Sequence, residues 1–395
     1  MSDKLLAASL TQEPVWSKMP LEAKTIGAAT LMTERATITD VAERSGVSIT
    51  TVSHVLNEVP GKRVSPTTRA RVLKAAEELL YSPNRLARGL RTQRTQMIGF
   101  LSDRVSTTPF AGQMIVGAQD AAAEAGSLLV LLNSGGDPEL EEREVQALRE
   151  RQVDGIIYAL FYHRVVTPPA SLRNGPVVLL DARTPDRSMS SVVPDEVGGA
   201  RAAVEELLAT GHRRIGFVND CDDIPARSLR LAGYRQALEV YGMPFEGNLV
   251  IDCPADASGG YSGAMELLCR SDRPTGIFCF NDRMAMGVYQ ATGALGLAIP
   301  DEVSVVGFDN QELISDSLRP GLTTVGLPHY EMGQWSVKTL LRHIEAEPPY
   351  QLAHALMACP IIRRGSVAAP PTAIRTVTAQ PNGFPYRHGG EPRAP

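Results

Sequence analysis

From about residue 96 to about residue 365, short apolar runs alternate with stretches whose apolar side chains recur at helical spacing. This alternation limits the fold most, because runs that are apolar on both faces form strands buried in parallel sheets. Seven runs are predicted strands: Met97–Leu101, Leu128–Leu132, Gly155–Ala159, Val177–Leu180, Ile215–Val218, Ile277–Phe280 and Val303–Phe308. Predicted helices between them include Gly117–Glu124, Glu139–Arg149, Gly198–Leu208, Arg230–Tyr241 and Met284–Ala294. Ten or so strands over about 270 residues fit two doubly wound sheets better than one.

Residues 37–82 predict an all-α module in front of this α/β region. Thr37 is the predicted N-cap of a first helix, with Asp40 in its first turn. Gly46 marks the tight turn that follows this helix, and Ser48 caps a second helix. Ser65, followed by proline, begins a third. The predicted helices are Ile38–Arg44, Ile49 to about Leu56, and a third that begins at Pro66 and carries an apolar stripe to Leu80. Two short helices joined by a tight glycine turn are typical of a helix-turn-helix.

Charge is distributed unevenly along the chain. The formal net charge is −5, but residues 33–95 hold eleven basic and six acidic side chains, a net +5, which leaves −10 for the remainder. A small basic module on a larger acidic body favours binding of a polyanion through the module alone.

Several classes of protein are disfavoured. No apolar run reaches the roughly 18 residues of a membrane span, and the N-terminus lacks a secretory signal. The five cysteines are irregularly spaced without a CxxC pair, so we expect reducing cytoplasm and no metal site. Neither a P-loop nor a GxGxxG motif occurs, and no nucleophile or acid/base pair stands out, so we expect no cofactor and no enzyme activity. Residues 1–36 are expected to be a flexible extension and 366–395 a disordered tail.

The residues of the helix-turn-helix carry a specific resemblance. The run from Thr37 to Ser48, continued from Thr51 to Asn57, closely resembles the headpiece of the lactose/galactose repressor (LacI) family, and the likeness resumes to about residue 365. It implies a two-lobed, periplasmic-binding-protein-like domain over 96–365. Lobe 1 would comprise about 96–193 and 323–350, and lobe 2 about 194–322 and 351–365. A homodimer or tetramer on a pseudo-palindromic DNA operator is expected, away from the membrane and associated with the nucleoid.

The second helix is the predicted reader of DNA. Ile49, Thr50 and His54 fall on one helical face, and the resemblance implies that they contact base edges in the major groove. Many family members have Arg where this chain has His54, so a different operator base is expected there. Five polar residues are predicted to position phosphates rather than read bases. These are Thr39, Ser48, Thr51, Ser53 and Asn57.

Residues 83–95 are predicted to be a hinge helix. Arg85, Arg88, Arg91 and Arg94 recur every three residues, and Gly89 weakens a helix by about 1 kcal/mol, so folding should require phosphates. The resemblance implies that two such helices lie in the minor groove, where Leu90 wedges into a base step. Asn84 and Ala87 complete the predicted DNA contacts. A charged interdomain linker is the alternative.

Polar side chains at strand ends predict a ligand cleft between the lobes. Asp181 ends one strand, Asn281 and Asp282 follow another, Asp309 follows a third, and Arg230 opens a helix. Such groups fix hydroxyl donors and acceptors in direction, and the resemblance places effector contacts at the same positions. Asp282 is equally compatible with a helix cap.

Aromatic residues could stack on a ligand ring. Phe110 and either Phe161 or Tyr162 are the candidates, with ordinary packing as the alternative. Where some relatives have an aromatic before Ser258, this chain has Ala255, so one stacking wall is expected to be absent.

A repressor controlled by a sugar-like effector is therefore predicted, with relief by an inducer favoured over co-repression. The runner-up is control by a phosphorylated partner protein. A solute-binding protein for uptake is a remote alternative, because it needs an export signal and has no use for a basic headpiece. A sugar-converting enzyme is also remote, because no nucleophile or acid/base pair stands out.

Overall fold

The computed structural model describes residues 36–56, 62–81, 94–108, 111–346, 348–375 and 377. The chain divides into two compact units, Met1–Asn84 and Arg85–Pro395. The predicted N-terminal extension lies outside the described residues, as do most of the hinge and the later part of the tail. Predicted site residues outside them are Asn57, Asn84, Arg85, Ala87, Arg88, Leu90 and Phe110.

The first unit contains the three predicted helices. They are α1 (Ile38–Ser45), α2 (Ile49–Leu56) and α3 (Pro66–Glu78). Thr37 and Asp40 form a reciprocal capping box at α1, and Gly46 adopts the left-handed φ of 64° that ends this helix. Ser65 Oγ accepts from the Thr68 amide at 3.1 Å, with proline at the first position of α3. Local capping chemistry therefore sets the boundaries of this module.

A small aliphatic core holds the three helices together. Val41, Val52, Val55 and Val72 are each at most 1% exposed and pack in one cluster with buried alanines. One exposed ion pair, Arg44 to Glu78 at 2.8 Å, joins α1 to α3. Because exposed pairs contribute little, burial of these valines is the main source of stability in this unit.

The second unit contains two six-stranded sheets, one in each lobe, as predicted. The lobe 1 sheet has the order β11-β5-β4-β3-β1-β2 and the lobe 2 sheet β12-β10-β9-β8-β6-β7. All neighbouring strands are parallel except β10 and β12. The strands are β1 (Met97–Ser102), β2 (Leu128–Asn133), β3 (Gly155–Val165), β4 (Val177–Arg183), β5 (Ser190–Pro194), β6 (Ile215–Asp220), β7 (Val250–Cys253), β8 (Gly276–Cys279), β9 (Ser304–Asp309), β10 (Thr323–Gly326), β11 (His354–Met357) and β12 (Ile361–Ile362).

Helices cover both faces of each sheet. They are α4 (Gly112–Glu124), α5 (Pro138–Glu150), α6 (Glu196–Ala209), α7 (Pro225–Val240), α8 (Ala257–Leu268), α9 (Asp282–Ala294), α10 (Glu312–Ser315) and α11 (His329–Glu345). In lobe 1, glycines allow α4 and α11 to pack closely. A Cβ atom at Gly117 would overlap the Tyr330 carbonyl, and one at Gly333 would overlap the Met114 carbonyl. Among the described helices we find none with the length and apolarity needed to cross a bilayer.

The lobes exchange two strands relative to the prediction. Strand β10 pairs with β9, Thr323 opposite Val306, so it belongs to lobe 2 rather than to lobe 1. Strand β11 pairs with β5, His354 opposite Ser191, so it belongs to lobe 1 rather than to lobe 2. The chain therefore crosses between lobes three times: after β5, between β10 and α11, and between β11 and β12.

The predicted disordered tail is wrong for residues 366–375. Ser366 is fully buried, and its hydroxyl donates to the Val305 carbonyl at 2.6 Å and accepts from the Thr323 amide at 2.8 Å. The His212 ring, fully buried ahead of β6, lies with Nε2 2.9 Å from the Ala368 carbonyl oxygen. These hydrogen bonds give buried polar groups of lobe 2 their partners, so residues 366–375 belong to the folded lobe. A high content of proline and alanine therefore did not show where the fold ends.

Candidate functional site

Helix α2 exposes the side chains predicted to read base edges. Ile49 is 47% exposed, Thr50 is exposed and His54 is half-buried. On the opposite face Val52 and Val55 are buried in the headpiece core. A short helix that is anchored on one face and exposes its N-terminal side chains has the geometry needed to enter a major groove.

Two of the residues predicted to position phosphates, Ser48 and Thr51, lie at the start of α2. Ser48 Oγ caps the helix by accepting from the Thr51 amide at 3.2 Å, and it lies 2.9 Å from Thr51 Oγ1, within hydrogen-bond distance. Thr39 is exposed and Ser53 is half-buried. A phosphate contact by Ser48 or Thr51 would therefore be added to a structural role.

A cavity of about 320 Å³ lies between the two lobes, at the carboxyl ends of both sheets. Four predicted effector residues line it: Asp181, Arg230, Asn281 and Asp309. The other lining residues are Arg104, Phe161, Tyr162, His163, Pro194, Glu196, Asp220, Asp222, Ile224, Ala226, Ala255, Phe280, Arg283, Leu327 and His329. The cavity therefore lies where the cleft was predicted, at the carboxyl ends of the parallel strands.

Arg230 is the centre of the lobe 2 wall. Its side chain is 4% exposed, with Nε 2.7 Å from Glu196 Oε2 and Nη2 3.5 Å from Asp309 Oδ1. The guanidinium lies over two rings, with its carbon 3.6 Å from the centroid of Phe308 and 4.3 Å from that of Phe280. Burial opposes its charge, but Glu196 and Asp309 outweigh burial and raise the pKa of Arg230. Arg230 lies in the second turn of α7, which begins at Pro225, and not at the helix start as predicted.

Two carboxylates of the cavity have strained backbones. Asp181 has a φ of 56° and Asp309 a φ of 100°, which cost about 1–3 kcal/mol each in non-glycine residues. Burial raises the pKa of Asp181 well above its ordinary value and that of Asp309 to about 6, the latter against the effect of Arg230. Strain and buried charge at strand ends are typical of functional sites.

Asn281 and Asp282 play different roles. Asn281 Oδ1 caps α9 by accepting from the Met284 amide at 2.8 Å, while Nδ2 donates to the Ala255 carbonyl at 3.1 Å. Asp282 does not line the cavity, contrary to the predicted effector contact. It is fully buried, and its two oxygens accept from the Thr324 hydroxyl at 2.6 Å and the Gln311 amide at 2.7 Å. Its carboxylate ties β10 and the loop after β9 to α9.

Comparisons with known proteins agree with this architecture. A family model described as "Bacterial regulatory proteins, lacI family" matches residues 37–84, and one described as "Periplasmic binding protein-like domain" matches 204–367. The ribose operon repressor of Escherichia coli (strain K12) is 33% identical over 336 residues, which are 84% of this chain and 99% of that repressor. The chain belongs to the LacI family.

Two solved structures of LacI-family regulators extend the likeness. The lac repressor dimer bound to operator and the anti-inducer ONPF is 28% identical, with a TM-score of 0.67 over 85% of this chain and 100% of that one. The transcriptional regulator CelR in complex with cellobiose is 30% identical, with a TM-score of 0.59 over 84% and 100%. This LacI-family chain is a DNA-binding transcriptional regulator with a headpiece and a two-lobed domain.

Several cavity residues of this LacI-family regulator were missed from its sequence, among them Glu196 and His163. Glu196 was overlooked because β5, the strand before it, contains serine and proline and was not predicted. The polar pair Asp195-Glu196 after Val192-Val193 repeats the pattern seen at the other strand ends and could have revealed it. His163 was overlooked because β3 continues to Val165, beyond its predicted end at Ala159.

The aromatic side chains form part of the lobe 1 wall. Phe161 and Tyr162 both line the cavity, and their rings contact each other edge to face with centroids 4.4 Å apart. Ala255 lines the lobe 2 wall at the position where an aromatic was expected to be absent. The cavity therefore offers aromatic surface on its lobe 1 side.

Proposed function

We propose that a small polar effector, sugar-like in chemistry, binds in the cavity between the lobes and controls operator binding by the headpiece. The cavity itself supports this most directly, because buried charged side chains from both lobes converge on one enclosed space. Asp181 comes from lobe 1, and Arg230 and Asp309 come from lobe 2. A ligand that contacts both walls changes the relative free energy of open and closed lobe arrangements.

The connections between the lobes lie beside this cavity. Pro194 and Leu327, which line it, belong to two of the three crossings. The crossings are tied together by backbone hydrogen bonds from the Asp195 amide to Met357 at 2.7 Å and from the Gly326 amide to Pro360 at 2.8 Å. A ligand at this position acts on the segments that must bend when the lobes rotate.

The DNA-bound form is proposed to be a homodimer on a pseudo-palindromic operator in the cytoplasm, with the hinge segment 83–95 ordered on DNA. Two headpieces reading half-sites explain the need for symmetry. Similarity to the ribose operon repressor supports repression, and the cellobiose complex of CelR supports a sugar-like ligand.

A two-part experiment tests the proposal. Genomic fragments selected by the full chain are measured against random duplex by fluorescence anisotropy, and sugars, nucleosides and purines are screened by thermal shift. We expect a selected fragment to bind at least about a thousandfold more tightly than random duplex. A ligand at 100 times its Kd should raise the stability of the two-lobed domain by about 2.7 kcal/mol and change operator affinity. No fragment preference with any ligand would contradict the proposal.

A further inference from the structure

The positive charge of Arg230 is already offset inside the protein. Glu196 and Asp309 both contact its guanidinium, and the three side chains are 4%, 3% and 7% exposed. The guanidinium also lies against two aromatic rings, those of Phe280 and Phe308. An arginine held in this way has little charge left for a ligand anion, although arginine is the side chain best suited to bind phosphate or carboxylate.

The rest of the wall adds acidic rather than basic side chains. Asp181 and Asp220 are each 2% exposed, so four nearly buried acidic side chains line the cavity together with a single buried guanidinium. The other lining arginines, Arg104 and Arg283, are exposed at the rim, as is Asp222. Moving an anion from water into such surroundings costs free energy that the rim cannot offset.

The lobe 1 wall contains buried hydrogen-bonding atoms that have no partner among the described residues. His163 is 4% exposed, and neither ring nitrogen has a hydrogen-bond partner among the described residues. Asp181 Oδ1 is buried and likewise has no such partner there. Burial lowers the pKa of His163, so its neutral ring supplies one donor and one acceptor. A hydroxyl group, which both donates and accepts, suits each of these atoms.

We infer that the cavity selects an uncharged, hydroxyl-rich ligand and rejects its phosphorylated or carboxylated analogues, with Glu196 as the specificity-determining residue. Glu196 acts through Arg230: it holds the guanidinium in place and removes its attraction for anions. Asp181 and His163 receive the ligand's hydroxyl groups. This inference rests on the proposed function, since it specifies the effector of the same cavity.

The test compares neutral sugars with their charged derivatives on the purified full-length protein. The probes are D-ribose and D-ribose 5-phosphate, D-glucose and D-glucose 6-phosphate, D-xylose and D-xylonate, and cellobiose, each titrated by calorimetry. For any pair that binds, we expect the wild type to prefer the neutral member by about a hundredfold or more. Glu196→Gln keeps the side-chain shape but frees charge on Arg230, and should shift that preference toward the anion by about tenfold.

Two further variants separate charge compensation from general damage. Glu205→Gln removes a half-exposed carboxylate on the same helix, where its partner is Arg201 at 3.6 Å, and should leave the neutral-to-anion ratio unchanged. If Glu196→Gln does not fold, Asp309→Asn removes the other partner of Arg230 and should shift the ratio in the same direction.

The outcomes separate this inference from the proposed function. Equal or tighter binding of the phosphate or carboxylate by the wild type would overturn the inference. So would an unchanged ratio in a folded Glu196→Gln or Asp309→Asn variant, or selective DNA binding with no response to any neutral probe. Failure to prefer any DNA fragment would instead contradict the proposed function.

Discussion

The headpiece and the interlobe cavity present functional side chains in opposite ways. On α2, Ile49 and Thr50 are exposed and a small valine core anchors the opposite face. In the cavity, Arg230 and Glu196 are almost fully buried and hold each other in place. Because of this difference, substitutions on α2 should affect DNA recognition with little effect on stability. Substitutions in the cavity should affect both ligand recognition and stability.

Loss of Arg230 should have the largest effect. Arg230→Met leaves Glu196 and Asp309 buried without their cation, and breaking a buried ion pair costs about 3–5 kcal/mol. Urea denaturation of the full chain, followed in the two-lobed domain, measures the free energy of unfolding. The matched control is Arg201→Met, whose 49%-exposed side chain pairs with Glu205 at 3.6 Å, and which should cost less than about 1 kcal/mol. Equal costs for the two variants would abolish the proposed contrast between interior and surface.

Asp309 should make the stability of the cavity depend on pH. Burial raises its pKa to about 6 from an ordinary 3.8, so the native state keeps this proton after the unfolded chain has released its own. Stability from this group is therefore lost as the pH rises between these two values, and is not regained above about 6. Relative to Asp309→Asn, the wild type should lose up to about 3 kcal/mol across that window. A constant difference between the two proteins in denaturation at each pH would contradict the assignment.

Ser366 sharpens the contrast within the larger unit. Ser366→Ala leaves the buried Val305 carbonyl and Thr323 amide without their partner and should cost about 2 kcal/mol. Ser262→Ala removes an exposed hydroxyl that donates to Ser258 at 3.0 Å on α8, and should change stability by less than about 0.5 kcal/mol. Thermal unfolding of both variants decides the comparison, and similar losses would mean that residue 366 does not belong to the folded lobe.

The smallest effect on stability is expected on the headpiece. Thr50→Ala should weaken operator binding by about 1 kcal/mol, mainly at one base-pair position, because it removes a short side chain from a base edge. Its thermal unfolding should match that of the wild type, since Thr50 is exposed. Anisotropy titrations against single-position operator variants measure the loss. Uniform weakening at every position would assign Thr50 to phosphate contact instead.

Local signals predicted the headpiece and the sheet interiors. The capping residues Thr37 and Ser65 and the turn at Gly46 act within a few residues, so the sequence predicts them directly. Strands such as β1 and β9 were found within a residue of their ends because both faces are apolar.

Non-local pairings could not be predicted in the same way. Strand β10 begins with two threonines and β5 with two serines, which do not stand out as buried runs. Their allocation to lobes depends on hydrogen bonds to distant strands. The same reason explains which cavity residues were predicted. Asp181, Arg230 and Asp309 were expected from local patterns, whereas Glu196 reaches the cavity only because α6 packs beside α7.

The most direct test of the account is reciprocal coupling between the cavity and the headpiece. Effector affinity is measured by calorimetry with and without saturating operator DNA, and operator affinity is measured by anisotropy with and without saturating effector. We expect both affinities to change by the same factor, about tenfold or more, because thermodynamic linkage requires the two factors to be equal. An effector Kd that operator DNA leaves unchanged would contradict control of the headpiece by the cavity.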